Sequence, residues 1–157
     1  MNILDLKNIN RLIDISIAAG NAIMDVYETN FDIETKDDQS PLTRADTISN
    51  MIICDALSKM TPDIPILSEE SSYIPFHERS KWKKYWLIDP LDGTKEFIKK
   101  NGEFTTNIAL IINHSPVFGI IHAPAINETY WGSEMGGCYF LQGKSPLDKV
   151  RLRTSNN

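Results

Sequence analysis

The stretch Trp86-Leu87-Ile88-Asp89-Pro90-Leu91-Asp92-Gly93-Thr94-Lys95-Glu96-Phe97 decides the reading of the chain. An apolar run passes into two acids, a proline, a glycine and a threonine, the pattern of a buried strand ending in a sharply turned loop rich in oxygen ligands. Such a loop suits a hard cation. Mg²⁺ prefers oxygen in near-octahedral array, and Asp89, Asp92 and the intervening Leu91 carbonyl bring three oxygens within reach of one point. Pro90 fixes its own φ and biases Asp89 towards extended backbone, while Gly93 takes angles closed to other residues. Asp-Pro-x-Asp-Gly is equally the chemistry of an ordinary strand-ending turn, and these residues alone leave both readings open.

The neighbouring segments identify the pattern. Asp89-Pro90-Leu91-Asp92-Gly93-Thr94, with Leu67-Ser68-Glu69-Glu70 and Thr43-Arg44-Ala45-Asp46 upstream, resembles the lithium-sensitive, Mg²⁺-dependent inositol monophosphatase superfamily. Lys95-Glu96-Phe97-Ile98 and the run from Gly102 to Leu110 resemble its 3′(2′),5′-bisphosphate nucleotidase branch, of the CysQ type. The likeness covers only the N-terminal portion of such an enzyme. It implies one N-terminal α+β domain over residues 1–157 without the C-terminal domain, and the final Arg151-Leu152-Arg153-Thr154-Ser155-Asn156-Asn157 reads as a truncated end.

The resemblance also implies roles. Glu69, Asp89 and the Leu91 carbonyl would hold a first Mg²⁺, and Asp89 and Asp92 would contribute to a second; inhibition by Li⁺ comes with the likeness. Asp46 would polarise the Thr94 hydroxyl, which would orient the attacking water. Glu69, Leu91, Asp92, Gly93 and Thr94 would border the substrate, and Lys36 would lie near the active site. Hydrolysis of a phosphate monoester requires a nucleophile to approach an anion and an alkoxide to leave, and two divalent ions about 3.5–4 Å apart answer both needs. A further family Asp, on a Trp-Asp motif of the C-terminal portion, has no counterpart here. The implied reaction removes the 3′-phosphate of adenosine 3′,5′-bisphosphate to give AMP, in sulfate assimilation or nucleotide recycling. Alternatives are a catalytically silent metal-binding or interaction fragment, and an inositol or sugar phosphate monophosphatase, against which Lys95-Glu96-Phe97 favours the nucleotidase.

Composition agrees with a globular domain: 157 residues, 41% hydrophobic and 24% charged, with a net charge of −5. A chain of this length buries roughly 70% of its unfolded surface. The acidic balance argues against binding a nucleic-acid polymer or a membrane surface through a basic face. It does not exclude a small phosphorylated nucleotide bound through cations. The two cysteines, Cys54 and Cys138, form no C-x-x-C pair, so neither a zinc site nor a disulfide framework is expected. The first residues lack signal-peptide character and no run approaches the roughly 18 apolar residues of a membrane span, which places the chain in the cytoplasm. The resemblance adds a peripheral location at the inner membrane as an option. Self-association is left open.

Along the chain, apolar residues from Leu6 to Tyr27 recur at helical spacing, with Gly20 as a close-contact point. A second amphipathic helix runs from Ala45 to Met60, and Thr43 or Asp46 suits its N-cap as well as a catalytic role. Short strands are predicted at 31–35 and 64–67, with a polar turn between 36 and 41. Residues 71–84 read as a loop or short helix, and 95–101 hold a helical turn broken by Gly102. From Phe104 onward four strands, 105–112, 117–122, 128–132 and 138–141, alternate with turns. His114 and His122 read as a turn residue and a strand residue. Two helices followed by a meander predict an α+β fold: two N-terminal helices packed on an antiparallel sheet, resembling the first layers of the inositol monophosphatase-like α/β/α/β/α sandwich. With the later layers absent, the uncovered sheet face should be apolar and the isolated chain poorly soluble.

Overall fold

The computed structural model describes residues 3–30, 32–35, 41–134, 136–143 and 149–152. Lys36 and the polar turn around it lie outside them. Helix α1 (Leu6–Tyr27) starts at Asp5, whose carboxylate accepts the Asn8 N–H at 2.8 Å, and runs over the periodic stretch read from sequence. Strands β1 (Ile33–Thr35) and β2 (Pro41–Thr43) form an antiparallel pair leading into α2 (Arg44–Met60). Then come β3 (Ile66–Ser68), the one-turn α3 (Phe76–Arg79), β4 (Lys84–Asp92) and the short α4 (Thr94–Ile98). The remaining strands are β5 (Thr105–Ile112), β6 (Ser115–Ala123), β7 (Glu128–Ser133), β8 (Gly137–Gln142) and β9 (Val150–Leu152).

Strands β3 to β9 make one sheet in chain order. The meander from β4 onward is antiparallel, and the β5–β6, β6–β7 and β7–β8 connections are too short for a parallel crossover. At the β5–β6 turn both Asn113 (φ 49°) and His114 (φ 65°) are left-handed, the geometry that suits a two-residue hairpin, so His114 is a turn residue. Strand β3 is the exception, pairing parallel to β4, so the sheet is mixed. Residues 69–83 separate the two strands, long enough for the crossover that a parallel pair needs. Strand β9, which the basic-polar character of the last residues concealed, pairs with β8 at the far edge.

Helices α1 and α2 cover one face of the sheet. Leu12, Ile13, Ile53 and Leu57 pack on Trp86, Ile88, Ile108, Leu110, Phe118 and Ile120, all essentially buried. The Trp86 indole N–H reaches the Thr61 hydroxyl at 2.9 Å, which satisfies the polar edge of this buried ring. A second cluster of Ile23, Val26, Ala45, Leu91, Phe97 and Phe104 sits beneath the β4–α4 junction. There the rings of Tyr27, Phe97 and Phe104 meet at 5.0–5.2 Å.

The opposite face carries no helix among the described residues. Leu87, Ile121 and Tyr130 stand exposed on it, and Leu67, Ala109 and Gly119 continue the surface. Gly20 is the close-contact point anticipated for α1: a Cβ there would lie 2.4 Å from His122 Cδ2. His122 is buried on β6, with Nδ1 2.9 Å from the Thr129 hydroxyl.

Candidate active site

The sequence reads Asp89 as the end of a strand, yet β4 runs on to Asp92. Asp89 pairs with Asn107 and Asp92 with Thr105, so three steps on β4 match two on β5. That extra residue is a β-bulge. It has a direct chemical consequence. Residues three apart on a regular strand face opposite ways, whereas partners two apart on β5 share a face. The bulge therefore brings Asp89 and Asp92 to the same side, the open one, and Pro90 sits where a missing backbone donor is tolerated.

The chain then reverses at Gly93, whose φ of 91° and ψ of 36° lie in the left-handed region. A Cβ at this position would stand 2.7 Å from the Glu103 carbonyl oxygen, so both the angle and the space require glycine. Helix α4 begins at Thr94, anchored by Phe97, whose side chain is buried and whose N–H donates to the Gly93 carbonyl at 2.9 Å.

Glu69 arrives from the neighbouring strand. Ser68 pairs with Ile88, and the Glu69 N–H donates to the Ile88 carbonyl at 3.1 Å, so its register against Asp89 is fixed by the parallel pair. Glu69 and Asp92 are exposed and Asp89 is half-buried. Burial, then the charges of Glu69 and Asp92, then a hydrogen bond with Glu69 raise the Asp89 pKa to about 7, against a lowering contribution from the Leu91 N–H. Asp89 Oδ1 is buried without a hydrogen-bond partner. An orphaned carboxyl oxygen, held beside two further acids, is a group that a cation could satisfy.

Asp46 lies on α2, almost fully buried. Its Oδ2 accepts the Thr43 N–H at 2.8 Å and the Thr43 hydroxyl at 2.7 Å, a capping box at the start of the helix. Its Oδ1 is 3.1 Å from the Thr94 hydroxyl, which also lies 3.2 Å from the Leu91 carbonyl. The cap and the contact to Thr94 thus coexist on one carboxylate. Glu69, Asp89, Leu91, Asp92, Gly93, Thr94 and Asp46, all named from sequence, come together at one end of the sheet.

Sequence reasoning missed Asn107, whose Nδ2 donates to Asp92 Oδ2 at 3.2 Å. Its signal lay in the strand alternation of β5 opposite Asp89. Ser49 and Asn50 of α2 were missed as well, because the helical pattern was read from its apolar positions alone. The site forms the acidic end of an open groove of about 790 Å³ along the uncovered face, floored by Leu67, Leu87, Ala109 and Ile121.

The donor set fits Mg²⁺ better than a closed all-protein cage. Among the described residues no group of three or more His, Cys, Asp or Glu side chains is arranged to hold a metal ion. Mg²⁺ usually keeps several waters and takes one or two carboxylates together with substrate phosphate oxygens. Asp89, the Leu91 carbonyl, Asp92 and Glu69 supply that kind of partial shell.

Comparison with known proteins shows the family. The inositol monophosphatase family model matches residues 5–157. The 3′(2′),5′-bisphosphate nucleotidase CysQ of Aggregatibacter actinomycetemcomitans is 40% identical over 139 residues, 88% of this chain and 52% of that protein. CysQ of Escherichia coli O6:H1 is 52% identical over 119 residues, 74% of this chain and 48% of its own length. The crystal structure of CysQ from Bacteroides thetaiotaomicron superposes with a TM-score of 0.81 at 34% identity, covering 99% of this chain and 61% of that one. An IMPase from Thermotoga maritima superposes with a TM-score of 0.80 at 27% identity, covering 97% of this chain and 55% of the other. The chain spans about half the length of the curated relatives it matches. On this match, and on the likeness of its helix pair and sheet to those structures, the chain belongs to the inositol monophosphatase family.

Proposed function

We propose that this chain carries the divalent-cation and nucleophile-orienting half of a phosphate monoesterase that removes the 3′-phosphate of adenosine 3′,5′-bisphosphate to leave AMP. One observation carries the proposal: Thr94 Oγ1 stands 3.1 Å from Asp46 Oδ1, on the loop that also bears Asp89, the Leu91 carbonyl and Asp92. Bound Mg²⁺ would neutralise the phosphate and lower the pKa of water. The remaining steps belong to the protein. Thr94 has one hydroxyl hydrogen; donated to Asp46, it leaves the oxygen lone pairs free to accept from an attacking water and aim it. The two donors of Thr43 hold Asp46 in place, so the relay is oriented before substrate arrives. The backbone N–H groups of Gly93 and Thr94 would face the phosphate at the turn into α4. Asn107 holds the Asp92 carboxylate from β5.

The nucleotide assignment rests on the relatives' names and on the Lys95-Glu96-Phe97 continuation. A second reading, a cation-binding fragment without turnover, is favoured by the partial donor shell: among the described residues Glu69, Asp89 and Asp92 lie near one another but are not arranged as a closed cage. The deciding experiment is Mg²⁺-dependent phosphate release from adenosine 3′,5′-bisphosphate and, in parallel, inositol 1-phosphate, with Asp92→Asn as the blank. Release that prefers the nucleotide and vanishes in the variant supports the first reading. No release beyond the blank, from folded chain that binds Mg²⁺, establishes the second.

A further inference from the structure

Three side chains on one face of α2 reach three different parts of the candidate site. Asp46, Ser49 and Asn50 occupy positions i, i+3 and i+4, the spacing that shares a helix face. Asp46 takes Thr94, as described. Ser49 is fully buried, and its hydroxyl donates to the Pro90 carbonyl at 2.8 Å, inside the bulge that turns Asp89 and Asp92 to the same side. Asn50 Oδ1 accepts the Ser68 hydroxyl at 2.7 Å, directly before Glu69. Ser68 Oγ in turn accepts the Glu70 N–H at 3.3 Å, and Cys54 Sγ lies 3.2 Å from Asn50 Oδ1, completing a short chain of uncharged contacts.

We propose that Ser49 and Asn50 are positioning residues for the cation site, and that α2 acts as a gauge fixing the spacing between the β3 end bearing Glu69 and the β4 bulge bearing Asp89 and Asp92. This rests on the cation-binding reading above. A cation held between Glu69 and the Asp89–Asp92 pair needs their oxygens at a fixed separation, which is lost if β3 and the bulge move apart at the sheet end. Carboxylates cannot resist that movement themselves. Neutral hydrogen bonds from a helix packed against both strands can, and they act from the covered face without adding charge to the site. Ser68 points to the helix side because it pairs with Ile88, which is buried there, while Leu67 and Glu69 point away. Outer contacts of this kind typically set metal affinity by 10–100-fold.

The test is calorimetric titration of the purified chain with Mg²⁺, and with Mn²⁺ followed by electron paramagnetic resonance, at a temperature where circular dichroism shows every variant folded. Ser49→Ala and Ser68→Ala are each expected to weaken cation binding by about 10-fold or more. Ser49→Thr, which keeps the hydroxyl, is expected to bind within about threefold of the parent, a rescue that a purely volumetric role would not give. Ile53→Val, a buried α2 change outside the gauge, lowers the melting temperature while leaving affinity unchanged. Serine variants that are folded and bind within about twofold of the parent overturn the gauge and leave the cation site standing. A parent chain that binds neither ion overturns the cation-binding reading, and the gauge with it. If Ser49→Ala does not fold, Ser68→Ala decides the question alone, because its partner Asn50 is only partly buried.

Discussion

Asp89→Asn should stabilise the metal-free chain at pH 8 while destroying its response to Mg²⁺. The carboxyl is neutral in the folded state up to about pH 7 but ionises in the unfolded chain at its ordinary 3.8. Between those values the folded state holds the extra proton, so stability falls as pH rises through the window. At about 1.4 kcal/mol per tenfold, the full cost of ionising Asp89 in a dry site is roughly 4 kcal/mol. Water reaches this half-buried edge, and screening reduces the cost to about 1–2 kcal/mol. Asparagine cannot ionise, and its amide can donate to Glu69. Urea melts in EDTA should therefore show the variant about 1–2 kcal/mol more stable at pH 8, with the advantage shrinking to a few tenths by pH 4, where Asp89 is protonated in the folded state and about 40% protonated in the unfolded chain. Saturating Mg²⁺ should raise the parent and leave the variant unmoved. An advantage that persists unchanged at pH 4 would mean that asparagine simply packs better, and no advantage at pH 8 would refute the argument from burial and charge repulsion outright.

Further expectations concern the scaffold. Gly20→Ala should cost about 1–2 kcal/mol by thermal melt, because crowding of the His122 ring outweighs the roughly 1 kcal/mol that alanine normally gains in a helix; a neutral or stabilising result would contradict the close contact. Burial lowers the His122 pKa from 6.5 to about 4, so the unfolded chain takes up its proton first as pH falls. Stability should then drop by about 2 kcal/mol between pH 7 and pH 5, read most cleanly in the Asp89→Asn background where the opposing carboxyl is gone. The uncovered sheet face, with Leu87, Ile121 and Tyr130 exposed, should bind a hydrophobic dye and favour self-association. A monodisperse monomer that ignores the dye would refute this.

Much of the fold was legible because periodicity carries it. The Leu6–Tyr27 helix, the α2 helix and four strands of the meander follow from spacing 3.6 and spacing 2. What stayed hidden depends on pairing. The parallel β3–β4 partnership and the β8–β9 pair are long-range choices that a three-residue strand does not announce. The bulge is also a property of two strands, since an extra residue exists only relative to a partner. Asp89, Asp92 and Gly93 could be named from residue chemistry and Thr94 from the family resemblance, whereas the way both aspartates reach one face could not. Ser49 and Asn50 illustrate a further limit. A polar residue within a helix carries no mark of whether it faces water or grips a neighbouring strand, and only the packing of α2 on the sheet decides it.

The arrangement of Glu69, Asp89, the Leu91 carbonyl and Asp92 as a divalent-cation site is the claim on which the functional reading stands. Crystals of the chain soaked in Mn²⁺ and measured for anomalous scattering test it most directly. The account predicts anomalous density among those oxygens, lost in crystals of Asp92→Asn or Asp89→Asn. Density elsewhere on the chain, with none between β3 and the β4 bulge, would contradict it.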